Sequence, residues 1–315
     1  MALTLVEGNK YSQTELQGYV LDRIGKSSPV LMHLPFVEIL GNSVTYNTKV
    51  TGSTAAFRSV GGTWTEDTPV LEQATAALKI LGGDADIDNF LMDTRSNKID
   101  LKGEVIDDKI RATKEQFLDA FYYGDDSSNS LTFDGLQVLM SSTTYNTVHA
   151  GSSTGTALSI LKLQEAIDLV TGYTPTHLLI SKQLRRYITV YLDSIGEKFA
   201  SRMETGPGGF GRQIETFRGL DVIVDDMILN TETASSGAYD AKTGGGNTTA
   251  FITTWAPKAI CGIQGPNQIQ TVPLGDLETK DAQRYRIKWY CGLKFEDLRS
   301  AAKVDGIDAD GTVTA

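Results

Sequence analysis

The chain has 315 residues, enough for one large or two ordinary domains around a substantial core. Hydrophobic residues make up 40%, slightly under the globular norm, and a formal net charge of −10 argues against general affinity for nucleic acid. No basic segment followed by an apolar core opens the chain and no apolar run reaches the ~18 residues of a membrane span, so a chain that folds in cytoplasm is expected, with Cys261 and Cys291 as buried reduced thiols.

Residues 1–11 are weakly patterned and read as an arm. Ser12-Gln13-Thr14-Glu15 is a capping-box pattern, and Leu16, Val20, Leu21 and Ile24 follow at helical spacing before Gly25. Ser28-Pro29 predicts a short helix near Val30–Leu34, ended by Pro35. The stretch from 37 to 81 then alternates with period two. Val44, Tyr46, Thr48 and Val50 lead into the turn-rich Val60-Gly61-Gly62-Thr63-Trp64-Thr65-Glu66-Asp67-Thr68-Pro69, and Val70, Ala74, Ala76, Leu78 and Ile80 share one parity beyond it. Two long antiparallel arms are predicted. They are thinly apolar, and a lone two-stranded ribbon is marginal in water. Such a ribbon makes physical sense lying against another copy of the chain.

Asp84–Met92 is predicted as a short helix, and residues 107–123 as a long one that Gly124 terminates. Asp107 and Asp108 suit the positive end of that helix, and Ile110, Phe117, Leu118 and Phe121 form its apolar stripe. Residues 124–156 are turn-rich. Ala157–Thr171 carries apolar residues around most of its circumference and predicts a deeply buried helix. His177–Ile180 reads as a buried strand, after which Ser181 caps a helix bearing Leu184, Tyr187, Ile188, Tyr191, Leu192 and Ile195. A mobile loop is expected at 203–214, a strand at Leu220–Val224, and a flexible Gly/Ser/Thr-rich segment at 231–248. Ala250–Trp255 and Lys258–Ile263 read as strands, with Gln268–Val272 a further candidate. Asp281–Phe295 alternates throughout: Tyr285, Ile287, Trp289, Cys291, Leu293 and Phe295 on one face, Arg284, Arg286, Lys288, Tyr290 and Lys294 on the other. At ~3.3 Å per residue this strand would run roughly 45–50 Å.

Motifs with chemistry are weak. Gly206-x-Gly208-x-x-Gly211 matches the dinucleotide fingerprint in letters, but it follows a helix and contains Pro207, so it reads as a loop. Asp84-x-Asp86-x-Asp88 begins like a calcium loop, then lacks the glycine and the closing glutamate, leaving helix-start acids as the better reading. Asp308-x-Asp310-Gly311 reads as a frayed acidic tail. His33, His149 and His177 come with no Gly-x-Ser-x-Gly elbow and no zinc spacing. No catalytic residue, cofactor or metal is expected. The basic face Arg284, Arg286, Lys288 and Lys294 suits the solvated side of a half-buried sheet, contact with phosphate, or pairing with a neighbouring copy's acids, for which Glu66 and Asp67 at the hairpin tip are candidates.

The order of elements resembles a known family. Val44–Leu81, Ile110–Gly124, Tyr123-Gly124-Asp125 with Phe133-Asp134-Gly135-Leu136, Gly219–Met227, and Arg284–Asp297 followed by Ala301–Gly306 are similar to stretches of the major capsid protein of tailed double-stranded DNA bacteriophages. This is the Hong Kong phage-type shell fold, also used by encapsulin compartments. The resemblance implies an α+β fold with an N-terminal arm (1–36), an extended hairpin (37–82), a peripheral domain with a long spine helix (83–139 and 273–315) and an axial domain (140–272). It implies a shell protein of the virion, assembled in the host bacterial cytoplasm into hexamers and pentamers around double-stranded DNA, without sequence-specific contacts and without a membrane. Scaffolding, portal and possible decoration proteins would be its partners. Tyr46, Phe57, Arg58, Trp64, Glu66, Asp67, Arg284, Arg286 and Lys288 become candidate subunit contacts, and Gly206, Pro207, Gly208, Gly209, Phe210 and Gly211 the candidate axis-proximal loop. The chain starts almost at the arm, so a scaffold would be a separate protein or already removed. Lys49 and Lys79 lie away from the hairpin tip and Pro273–Asp281 holds no asparagine, so a non-covalent shell is expected. An encapsulin-like compartment, and a soluble enzyme or binding domain, are the alternatives.

Overall fold

The computed structural model describes residues 28–95, 101–141, 146–151, 155–205, 211–233, 242 and 244–314. The expected arm and helix before residue 28 lie outside the described residues. Two sheets and a separate ribbon organise the rest. The first sheet runs in the order β1 (Phe36–Glu38), β11 (Ile260–Asp276), β12 (Ala282–Phe295), β4 (Lys79–Asp88). Strand β12 follows the alternation read from sequence: Tyr285, Ile287, Trp289, Cys291, Leu293 and Phe295 are all buried. Lys258–Ile263 and Gln268–Val272 prove to belong to one strand, β11, whose register shifts between Gln264 and Ile269, where Gln268 takes φ 47°.

Strand β4 corrects the reading of Asp84–Met92 as a helix. Ala85 and Ile87 point inward, while Asp84, Asp86 and Asp88 do not, a period of two that pairs with β12 through Asp88↔Ala282. The helix, α2, starts at Asn89 and ends at Arg95, and of the three acids Asp88 serves it, accepting from Phe90 N at 2.9 Å. A short helix, α1 (Pro29–His33), precedes β1 and buries Val30.

The spine helix α3 spans Leu101–Tyr123, starting before the expected 107. Ile106 carries the buried stripe of Ile110, Thr113, Phe117 and Phe121 one turn further toward the N-terminus, and Asp107 and Asp108 sit in the second turn rather than at the start. The stripe packs on the first sheet, with the Phe117 ring 4.6 Å from Trp289 and 5.7 Å from Phe133. Gly124 follows the last helical residue, and a Cβ there would stand 2.1 Å from Phe133 O, so the close approach of that backbone admits only glycine.

The second sheet has seven strands in the order β5 (Thr147–His149), β13 (Ala301–Asp308), β10 (Asn247–Thr253), β6 (His177–Ile180), β9 (Leu220–Val224), β8 (Gly211–Phe217), β7 (Ala200–Thr205). Its central strands are covered on both faces. Leu178, Ile180, Val222, Ala250 and Ile252 join a core with α5 (Ile160–Leu169) and α6 (Lys182–Ser194), while Leu179, Ile223 and Phe251 join the core around the spine helix. Helix α5 is shorter than the predicted 157–171. Ser159 caps it, Leu158 precedes it with its carbonyl accepting from Thr314 N, and Leu163 and Ala166 face inward while Leu161 is 66% exposed. It is one-sided rather than buried all round.

Three loop expectations also change. His149 belongs to β5. The 203–214 segment is largely the β7–β8 antiparallel pair, with 206–210 outside the described residues. Glu232 and Asn247, inside the expected flexible segment 231–248, are buried, and 234–241 and 243 lie outside the described residues. The expected acidic tail is partly strand: Asp308 closes β13 opposite Asn247. Strand β11 runs across residues 272–273 and pairs with β12, and β13, near the end of the chain, joins the seven-stranded sheet.

A buried polar chain joins the two cores. Tyr123 at the end of the spine helix donates to Glu232, which also accepts from Thr249 Oγ1 (2.5 Å) and from Nε2 of Gln137 on α4 (Leu136–Leu139). The Gln137 Oε1 accepts from Lys303 Nζ at 2.7 Å, Lys303 stands 3.7 Å from Asp305 Oδ2, and Asp305 Oδ1 is 2.5 Å from His149 Nδ1. Glu232, Gln137 and Lys303 are fully buried.

Candidate functional site

The ribbon consists of β2 (Ser43–Thr51) and β3 (Val70–Ala77), paired from Ser43↔Ala77 to Thr51↔Val70. Beyond that pairing the loop organises itself. Asp67 Oδ2 accepts from Thr54 N (2.8 Å) and Thr54 Oγ1 (2.6 Å), bonds that hold its carboxyl below the usual carboxylate range. Arg58 Nη1 donates to Gly62 O at 2.9 Å, its guanidinium lies 5.4 Å from the Trp64 ring centroid, and Gly61 turns the chain at φ 82°.

None of this leans on the body of the protomer. From 53 to 73 every residue except Gly62 is exposed. Phe57 and Val60 are completely exposed, and Trp64, Val70 and Leu71 are more than half exposed. Covering a fully exposed side chain of this kind is worth about 1.5–3 kcal/mol, and with three of the five already part-covered they leave on the order of 6–12 kcal/mol unrealised in the isolated chain.

The structure distributes the other candidate residues differently. Tyr46 is half-buried at the root of the ribbon, its ring 5.5 Å from Lys294 Nζ, and burial raises its pKa. Arg284 and Arg286 are engaged within their own sheet. Arg284 Nε and Nη2 lie 2.6 and 2.7 Å from Asp86, and Arg286 Nε and Nη2 lie 2.6 and 2.8 Å from Asp84. These bonds lower the two carboxyl pKa values and correct the helix-start reading of both acids. Glu66 and Asp67 are exposed at the ribbon tip, and within one protomer the arginines meet Asp84 and Asp86 instead. Lys288 is half-buried on the same strand face. Gly206, Pro207, Gly208, Gly209 and Phe210 lie outside the described residues, and Gly211 opens β8.

Sequence reasoning missed the partners of the basic face, although Asp84-Ala85-Asp86-Ile87-Asp88 carries the signal: strict alternation opposite the alternation of 284–288. Among the described residues no group of three His, Cys, Asp or Glu side chains could hold a metal ion, and no helix is long and apolar enough to cross a membrane.

The arrangement as a whole, a ribbon beside a four-stranded and a seven-stranded sheet, superposes on solved structures. The holo-SrpI encapsulin complex from Synechococcus elongatus superposes with a TM-score of 0.67 at 16% identity, over 100% of this chain and 99% of that one. The capsid of a native GTA particle gives 0.62 at 10% identity, over 88% and 89%. Mycobacterium phage Bobi gives 0.60 at 14% identity, over 88% and 90%. No protein-family model and no curated protein matches the sequence. The fold of this chain is the Hong Kong phage-type capsid fold, α+β in class, common to phage capsids and encapsulins.

Proposed function

We propose that the chain is the major capsid protein of a tailed double-stranded DNA bacteriophage, a structural protein rather than an enzyme. Copies would close into hexamers and pentamers of an icosahedral head, residing in the virion after assembly in the bacterial cytoplasm. The observation that carries this reading is the exposed ribbon, whose Phe57, Val60, Trp64, Val70 and Leu71 find no cover in their own protomer. In a closed ring each contact is heterologous, so one surface of a copy meets a different surface of the next. The seven-stranded sheet would form the axial domain, with Gly206–Gly211 at its axis-proximal loop. The four-stranded sheet and spine helix would form the peripheral domain. Scaffolding, portal and decoration proteins would be its partners, and the enclosed DNA would be held without sequence-specific contacts, consistent with the net charge of −10.

The near-complete mutual coverage with an encapsulin favours a second reading, a compartment enclosing protein cargo. Particle contents separate the two. Purified particles from the native source holding double-stranded DNA support the head. Particles holding a folded protein and no genome overturn it in favour of the compartment.

A further inference from the structure

The ribbon meets the body at a narrow root, and the contacts there are of two kinds. An apolar pin of Ile39, Ala76 and Ile263, with Val44, Tyr46 and Leu78 packed around it, holds the ribbon on without fixing a direction. Directional bonds flank the pin on both strands. On the β2 side, Thr48 Oγ1 donates to Glu296 O at 3.1 Å, and Lys294, beneath the Tyr46 ring, bonds Glu296 Oε2 at 2.5 Å. On the return side stands Lys79, the first residue of β4, where the chain leaves the ribbon for the sheet. Its ammonium bonds Asp126 Oδ1 at 2.5 Å and Ser130 O at 2.8 Å.

Asp126 and Ser130 sit in a turn that is itself braced. Asp126 N donates to Asp134 Oδ1 at 2.8 Å, Asn129 N to Asp125 O at 2.9 Å, and the Asp125 carboxylate accepts from Ser127 Oγ and Ser128 Oγ. That turn begins where the spine helix ends, so Lys79 ties the direction of the ribbon to the direction of the spine.

From these contacts we infer that Lys79 and Asp126 are positioning residues that set the angle between ribbon and spine helix, and through it the curvature of the shell. The inference rests on the shell reading proposed above. Leverage makes the pair matter: the nine residues of β2 extend about 30 Å at ~3.3 Å per residue, so a 10° rotation at the root moves the far end of the strand by about 5 Å. That is enough to take Phe57 or Trp64 out of a contact shaped for them. A partly exposed ion pair adds little to the stability of one protomer. Its geometry, repeated in every copy, is what assembly reads.

Full-length Lys79→Met and Asp126→Asn variants test this, together with the charge-swapped pair Lys79→Asp with Asp126→Lys. Each is followed by thermal unfolding, by hydrogen exchange of residues 43–48 and 70–78 before assembly, and by electron microscopy of assembled particles. The single variants should melt within a few degrees of the parent, exchange the ribbon amides several-fold faster, and give particles of shifted or broadened diameter. The swapped pair should restore both readouts. Parental diameters in both single variants would overturn the assignment, as would unchanged ribbon exchange. If the parent itself forms no particles, the shell reading falls, while the exchange measurement still decides whether Lys79 holds the ribbon.

Discussion

Replacing Lys303 by methionine keeps the side-chain stem and removes the ammonium from the middle of the buried polar chain. The perturbation strips Gln137 of the donor at 2.7 Å from its Oε1 and at 3.3 Å from its backbone oxygen. It also leaves Asp305, 1% exposed, without the cation 3.7 Å away. Breaking a buried charge pair by removing one partner costs about 3–5 kcal/mol, because the remaining charge stays desolvated. With roughly 2–4 °C of Tm per kcal/mol for chains somewhat shorter than this one, the variant should melt roughly 6–20 °C below the parent. Neutralising both members, Lys303→Met with Asp305→Asn, should recover part of that loss, since no uncompensated charge then remains. Circular dichroism melts of the three proteins at one pH supply the numbers. A Lys303→Met melt within about 2 °C of the parent would refute the claim that this chain of bonds ties the two cores together.

Gly82 pairs with Lys288 across β4 and β12, and a Cβ there would stand 2.2 Å from Ile287 O. Gly82→Ala should therefore lower Tm by several degrees or leave the chain insoluble, and a parental melt would show that the backbone yields. At alkaline pH the buried tyrosines report. Burial, and then the carboxylates of Asp225 and Glu232, raise the pKa of Tyr122 and Tyr123. Their folded values lie above the ordinary ~10, so their contribution is complete below about pH 10 and is lost as pH rises past it. Tyr122→Phe should flatten the alkaline fall in Tm, and an identical slope would count against the assignment. At the acid end, Asp84 and Asp86 have pKa values lowered by hydrogen bonds from Arg286 and Arg284. Their contribution is complete above the ordinary ~3.9 and disappears as pH falls below it, so Asp84→Asn with Asp86→Asn should reduce the acid dependence of Tm.

What the sequence displays depends on whether a residue's partner shows in the local pattern. Strand β12 and the ribbon were legible because alternation is local: Tyr285 to Phe295 on one face, Val44 to Thr48 and Val70 to Ala76 on matched parities. The cap at Ser181 and the stop at Gly124 were legible for the same reason. The burial of Lys303 and Asp305 in β13 was not, because their partners Gln137 and His149 lie far away in sequence and meet them only inside the sheet. The acids of β4 misread as a helix start because their arginine partners lie about 200 residues away. The neighbours of Tyr46 at the ribbon root were not legible, since nothing near it in sequence names Phe295 or Lys294. Helix α5 looked wholly buried because Leu161 is apolar, yet it is exposed, as single surface leucines often are.

Electron microscopy of the full chain beside a variant lacking residues 55–68 is the most direct test of the claim that the ribbon exists to hold copies together. The full chain should form closed shells, tubes or rings, and the shortened chain should remain a folded protomer with a parental melt but no particles. Shells of parental size from the shortened chain would contradict the account.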